Sequence, residues 1–126
     1  MAIGKFLAAV MDCRDPLDLS TFWQQILGGE VDSRTATAEW VALSGVPGLG
    51  YLGFQKVPEK KAVKNRVHFD VDVESIDDAV VLAIAIGAKR VAGVVEEQTN
   101  YFQVMLDPEG NEFCFILRKT NNKDQH

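Results

Sequence analysis

Five stretches of this chain alternate apolar and polar residues with period two, and two longer ones repeat apolar residues at helical spacing. In "RVHFDVDV", Val67, Phe69, Val71 and Val73 fall on one face and Arg66, His68, Asp70 and Asp72 on the other. That is the pattern of a strand with one apolar side. "EWVALSG", "GYLGFQKV", "NYFQVML" and "EFCFIL" are strand-like in the same way, with Gly, Pro and Asn between them.

"DPLDLSTFWQQILGG" carries the marks of a helix at both ends. Asp15 can cap it and Pro16 suits its first turn. Leu19, Phe22, Trp23, Ile26 and Leu27 form one apolar stripe before Gly28 stops the run. Trp23 on that stripe is a core residue. "ESIDDAVVLAIAIGA" repeats the plan, with Ser75 and Asp78 as the capping signal and Gly87 as the stop. Its "AVVLAIAI" centre is apolar all round, which predicts a helix buried on several sides.

The two halves of the chain match. Gly28 and Gly87, Phe54 and Phe113, and Gln55 and Cys114 are all separated by the same number of residues, and that spacing also sets His68 on Ala9. One spacing aligns helix stops, helix faces and last strands together, so the chain reads as two copies of a strand, helix, strand, strand, strand unit. Module 1 spans about 3–57 and module 2 about 66–118. The lysine-rich, non-periodic segment at about 58–65 links them within a single domain.

Composition narrows the partners. The 126 residues are 47% apolar, enough for one well-buried domain. A net charge of −5 lacks the basic footprint that nucleic acid requires. Two cysteines, Cys13 and Cys114, show no metal-ribbon spacing and are too few for a secreted disulfide framework. The short apolar run in "MAIGKFLAAVMDC" is below signal-peptide length, and no stretch is long enough to cross a bilayer. The expectation is a cytoplasmic protein without membrane or nucleic-acid partners.

The two units, the "FWQQILGG" helix end, "RVHFDVDV" leading to a helix ending in "IGA", and above all "DPEGNEFCFI" near the end of the chain, resemble the glyoxalase/bleomycin resistance/extradiol dioxygenase superfamily, also called the vicinal oxygen chelate proteins. The resemblance covers residues 5–117 and is strongest to its small glyoxalase-like domains. It implies an α+β fold of two tandem βαβββ modules, with curled mixed sheets enclosing a cavity, helices outside, and a homodimer. In metal-using members the ligands come from the first and last strands of each module. The matching positions here are Ala9 (or Ala8), Gln55, His68 and Cys114. The first has no ligand atom, and the last carries a thiol where glutamate is usual.

Glu112 shares a face with Cys114 because side chains alternate along a strand. This suggests a displaced set of His68, Gln55 and Glu112 that would hold Ni, Mn, Zn or Fe(II), with Glu112 or His68 moving a proton. A His68 and Cys114 set would favour zinc. Against this, His68 can simply bond Gln55 or Glu112, and Cys114 can act as a small hydrophobe. Asp70 and Asp72 are either supporting groups beside His68 or a solvated strand end. Tyr51, Tyr101, Gln103 and Met105 join Gln55, His68 and Cys114 as the expected lining for an aromatic or amphipathic small molecule. The side taken by Trp40 stays open. His126 lies at the chain terminus, where order is rare.

Two functions follow. The leading one is a metal-free protein that binds a metabolite or antibiotic. The alternative is a metal-dependent lyase, isomerase or dioxygenase acting on a substrate with vicinal oxygens.

Overall fold

The computed structural model describes residues 2–119. The described chain forms two compact units that divide at Lys61 and Ala62. His126 lies outside the described residues. The first unit runs β1 (Ala9–Cys13), α1 (Pro16–Leu27), β2 (Glu30–Val31), β3 (Trp40–Val46) and β4 (Gly50–Lys56). The second runs β5 (Phe69–Asp72), α2 (Ile76–Ala85), β6 (Lys89–Glu96), β7 (Asn100–Leu106) and β8 (Glu112–Arg118).

Both helices begin as their capping residues dictate. The Asp15 carboxylate accepts from the Asp18 amide at 3.1 Å, and Pro16 occupies the first turn. The Ser75 hydroxyl accepts from the Asp78 amide, also at 3.1 Å. Each cap satisfies a backbone donor that the helix start leaves orphaned. At Gly28 the backbone has φ 87°, a conformation that costs glycine nothing, and its amide donates to the Gln24 carbonyl at 2.8 Å.

In each sheet the unit's first strand lies parallel to its last, and the other pairs are antiparallel. The strand orders are β1-β4-β3-β2 and β5-β8-β7-β6. The expectation of curled sheets enclosing a cavity is therefore corrected. Each sheet is an open ladder with two edge strands, and closure would require its end strands to pair. In the first unit β2 contributes only two residues, too few to carry a closing seam.

Register explains the burial. Phe54 stands opposite Met11 and Val41, and Leu52 opposite Ala9 and Leu43, so these side chains share the face that meets Leu19, Phe22 and Trp23 of α1. Trp23 is fully buried, as its place on the stripe predicts. Phe22 packs edge-on against it with ring centroids 5.4 Å apart. Each such side chain contributes roughly 1.5–3 kcal/mol of burial. In the second unit Val71, Phe113, Phe115 and Met105 are buried along with Ile76, Val80 and Ala83 of α2.

Helix α2 departs from its prediction. Only Ile76, Val80 and Ala83 are buried, while Val81, Leu82 and Ile84 are exposed. Within its unit the helix packs on β6 and β8, so an apolar sequence all round does not bring burial all round. No helix among the described residues is long and apolar enough to cross a membrane.

The "DPEGN" turn is organised by Asp107, which is buried. Its Oδ1 accepts from the amides of Glu109 at 2.9 Å and Asn111 at 3.0 Å, and its Oδ2 accepts from Asn111 Nδ2 at 2.9 Å. Gly110 supplies the positive φ of 87° that the turn needs before β8. This turn sets where β8 begins, and hence which of its residues face each way.

Candidate functional site

Strand β8 lies between β5 and β7, and its register with β5 places Asp70 opposite Cys114. Neighbours across parallel strands point to the same face, and His68 shares that face by alternation. The result is a nitrogen, an oxygen and a sulfur donor with ligand atoms all within 4.8 Å of one another. His68 Nε2 is 3.2 Å from Asp70 Oδ1. His68 and Asp70 are exposed and Cys114 is half-buried, so the group is open to solvent and solutes. Partial burial pushes the Cys114 thiol above its ordinary value; the Asp70 charge adds to this, and Lys64 opposes it.

The donor set fits a divalent metal. A tetrahedral ion with bonds of about 2.0–2.3 Å separates its ligands by roughly 3.3–3.8 Å. The His68–Asp70 pair, at 3.2 Å, stands just inside that spacing, and all three ligand atoms lie within 4.8 Å of one another. Imidazole, carboxylate and thiolate together suit a borderline ion and leave coordination positions for water or substrate.

Glu112 is on the same face but is engaged differently. Its Oε1 accepts from the Asn65 amide at 2.9 Å, and its backbone carbonyl accepts from Asn65 Nδ2 at 3.0 Å. The carboxylate thus pins the segment leading into β5. The acid grouped with His68 is Asp70, a residue whose alternation with His68 was visible in the sequence but whose pairing with Cys114 was not.

Register also sorts the expected lining residues. Tyr101, Gln103 and Met105 stand opposite Leu117, Phe115 and Phe113, so they share the face opposite Glu112 and Cys114. Met105 and Gln103 are fully buried there. Gln103 Nε2 donates to the carbonyls of Val91, Ala92 and Val104 at 3.0, 3.2 and 3.0 Å. It thereby serves a bulge in β6 where the ladder to β7 is interrupted between Val91 and Val95. Gly93 within the strand is the sequence signal that could have marked that bulge.

In the first unit Gln55 stands opposite both Asp12 and Trp40, and Tyr51 shares its face by alternation. The Trp40 ring lies over Gly53, where no larger residue would fit, which settles its side. Asp12 opposite Gln55 repeats Asp70 opposite Cys114. The first-strand counterpart of His68 is therefore Val10, one residue beyond Ala9, and it too carries no ligand atom.

Two tandem βαβββ units, each with its first and last strands paired in parallel, place the protein in the glyoxalase/bleomycin resistance/dioxygenase class. The chain belongs to the glyoxalase-like domain family, whose model matches residues 8–116. Its fold is similar to that of a glyoxalase/bleomycin resistance protein/dioxygenase family enzyme from Burkholderia phytofirmans PsJN. That chain is 27% identical, the match covers 87% of this chain and 95% of that one, and the TM-score is 0.71. A glyoxalase/bleomycin resistance protein/dioxygenase from Nocardioides shares the fold at 13% identity, 98% and 89% coverage and TM-score 0.71. So does the fosfomycin resistance protein FosX from Listeria monocytogenes, at 13% identity, 92% and 94% coverage and TM-score 0.71. No curated protein matches the chain.

Proposed function

We propose that this protein is a divalent-metal-dependent enzyme, a lyase, isomerase or dioxygenase that acts on a small molecule bearing vicinal oxygens. The observation that carries this reading is the grouping of His68, Asp70 and Cys114 donor atoms within 4.8 Å on one sheet face. The cluster therefore favours metal-dependent chemistry over the metal-free pocket that the sequence put first.

His68, Asp70 and Cys114 would hold the ion. When bound, such an ion polarises carbonyl or hydroxyl oxygens and lowers the barrier to proton loss or addition. Glu112, two residues from Cys114 on the same face, takes the proton-transfer role. Its bond from the Asn65 amide fixes one oxygen and so sets the carboxylate's direction. The Listeria monocytogenes neighbour is by name an antibiotic resistance protein, which puts antibiotics in the substrate screen beside vicinal carbonyl and diol metabolites.

The deciding experiment is elemental analysis of untagged, unchelated protein, paired with thermal unfolding in Zn, Ni, Mn and Fe(II). An ion at a hundred times its dissociation constant stabilises the native state by about 2.7 kcal/mol, which for a chain of this size raises the midpoint by roughly 10 °C. That rise, lost in His68→Ala, is the expected result. Absence of bound metal together with no shift from any ion overturns the proposal.

A further inference from the structure

The first unit holds a cavity of about 500 Å³ made entirely of that unit's own residues. It forms where the start of α1, the 32–39 connection, the beginning of β3 and the end of β4 meet, with Val41 and Lys56 in its lining. Val41 stands opposite Phe54 and Lys56 alternates with it, so both lie on the sheet face that α1 covers. Asp12, Gln55 and Trp40 take the other face, the counterpart of the one that carries Asp70 and Cys114. The volume falls in the range of small-molecule sites, about 300–1,000 Å³.

The floor of the cavity is apolar, with Val41 and Pro16 both buried. The polar groups around it are mostly donors. Arg14 and Lys56 bring two positive charges, and neither side chain can accept a hydrogen bond. Thr37 adds a hydroxyl whose part is set by its neighbours, because its Oγ1 accepts from the Glu39 and Trp40 amides at 3.1 Å each. With both lone pairs engaged, that hydroxyl has its proton left to donate, and among the described residues no acceptor takes it. The acid in the lining, Asp15, already accepts from the Asp18 amide as the cap of α1.

Backbone bonds hold these donors in place. Strands β1 and β4 run parallel with Cys13 beside Lys56, and Arg14 follows directly, so the two cations leave neighbouring strand ends. The Val57 amide donates to the Cys13 carbonyl and the Lys56 amide to the Glu39 carbonyl, both at 2.8 Å. The Thr37 amide donates to the Trp40 carbonyl at 2.8 Å, which ties the connection to β3. A cavity with fixed donors above an apolar floor is complementary to an anion that carries an apolar body.

We infer that this cavity is a second binding site, for a small amphipathic carboxylate whose charged end is held by Arg14, Lys56 and the Thr37 hydroxyl and whose apolar body rests on Val41 and Pro16. A planar guanidinium matches a carboxylate through two parallel bonds, and the lysine adds a point charge. An inorganic anion would engage the donors and leave the floor uncovered. The site does not depend on the proposed metal chemistry, because it shares no residue with His68, Asp70 and Cys114.

The test is a nitrogen–proton correlation NMR titration of the full chain with benzoate, with its neutral counterpart benzamide, and with inorganic phosphate. Benzoate should shift the amides of Leu17, Thr37 and Ala38 saturably, and benzamide and phosphate should bind there roughly tenfold more weakly or not at all. R14E and K56E should each weaken benzoate about tenfold, K56R should retain it, and A38F, which fills the cavity from an exposed position, should abolish it. Circular dichroism and thermal midpoints near wild type show that the variants are folded. No saturable shift at millimolar benzoate, shifts centred on His68 and Cys114 instead, affinity indifferent to both charge reversals and to A38F, or benzamide or phosphate binding as tightly as benzoate overturns the proposal.

Discussion

Replacing Cys114 with serine removes one donor from the cluster while leaving β8 and its neighbours in place. The sulfur sits on a half-buried position opposite Asp70, and serine fits the same space. A serine hydroxyl stays protonated at neutral pH and is a poor partner for a borderline ion, so the site falls from three protein donors to two. Zinc sites with four protein ligands release about 10–16 kcal/mol on binding, or roughly 2.5–4 kcal/mol per ligand if shared equally. At 1.36 kcal/mol per decade, the zinc dissociation constant of Cys114→Ser rises about 100- to 1,000-fold. Competition against a chromophoric zinc chelator at fixed pH measures it directly. Cobalt(II) in place of zinc adds a second readout, a thiolate-to-metal absorption band that the serine variant lacks. The sign of the pH dependence follows from the raised thiol. Ion entry displaces the thiol proton, so wild-type affinity increases with pH, and the serine variant loses one proton from that slope. A variant that binds zinc within threefold of wild type, with an unchanged pH slope, would refute the assignment of Cys114 as a ligand.

Two further predictions concern the metal-free protein. Because partial burial and Asp70 hold the Cys114 thiol above its ordinary value, alkylation should titrate at higher pH than for a free cysteine. The native state then binds the proton more tightly than the unfolded chain. The stability from this group is complete below the unfolded pKa and is lost as pH rises through the folded one, which a urea series from neutral to alkaline pH detects as a decline that Cys114→Ser removes. Asp107→Ala leaves the Glu109 and Asn111 amides without their buried acceptor, and at about 1.5–3 kcal/mol for each charge-assisted bond the variant should lose roughly 3–6 kcal/mol. Chemical denaturation checks this, and a loss under 1 kcal/mol would count against the turn as the organiser of β8.

Much of this protein was legible in its sequence because the deciding interactions are local. Asp15 and Pro16, Ser75 and Asp78, and the glycines that end both helices act within a few residues, so helix limits could be read from spacing alone. The alternation in "NYFQVML" and "EFCFIL" marked β7 and β8, and equal spacing between like features exposed the tandem units. Pairing between distant segments was not legible. Which acid completes the cluster depends on the register of β5 against β8, and the sequence favoured Glu112 because it shares a face with Cys114 along one strand, whereas the pairing of Asp70 with Cys114 runs across two. The same limit set Gln103 and Met105 in a common lining with Cys114. Side-chain alternation tells which residues share a face within one strand, but cross-strand register alone decides which faces coincide.

The sequence by itself determined both helices and their caps, the strands β3, β4, β5, β7 and β8, the "DPEGN" turn and the repetition of the unit, since each follows from backbone preferences and the period of apolar residues. Only the tertiary structure decided that each sheet stays open, that α2 buries a single face, that β6 bulges onto Gln103, and that a thiol, an imidazole and a carboxylate meet at Cys114. Those outcomes rest on contacts between residues far apart in the chain, where one residue of register exchanges the buried face for the exposed one.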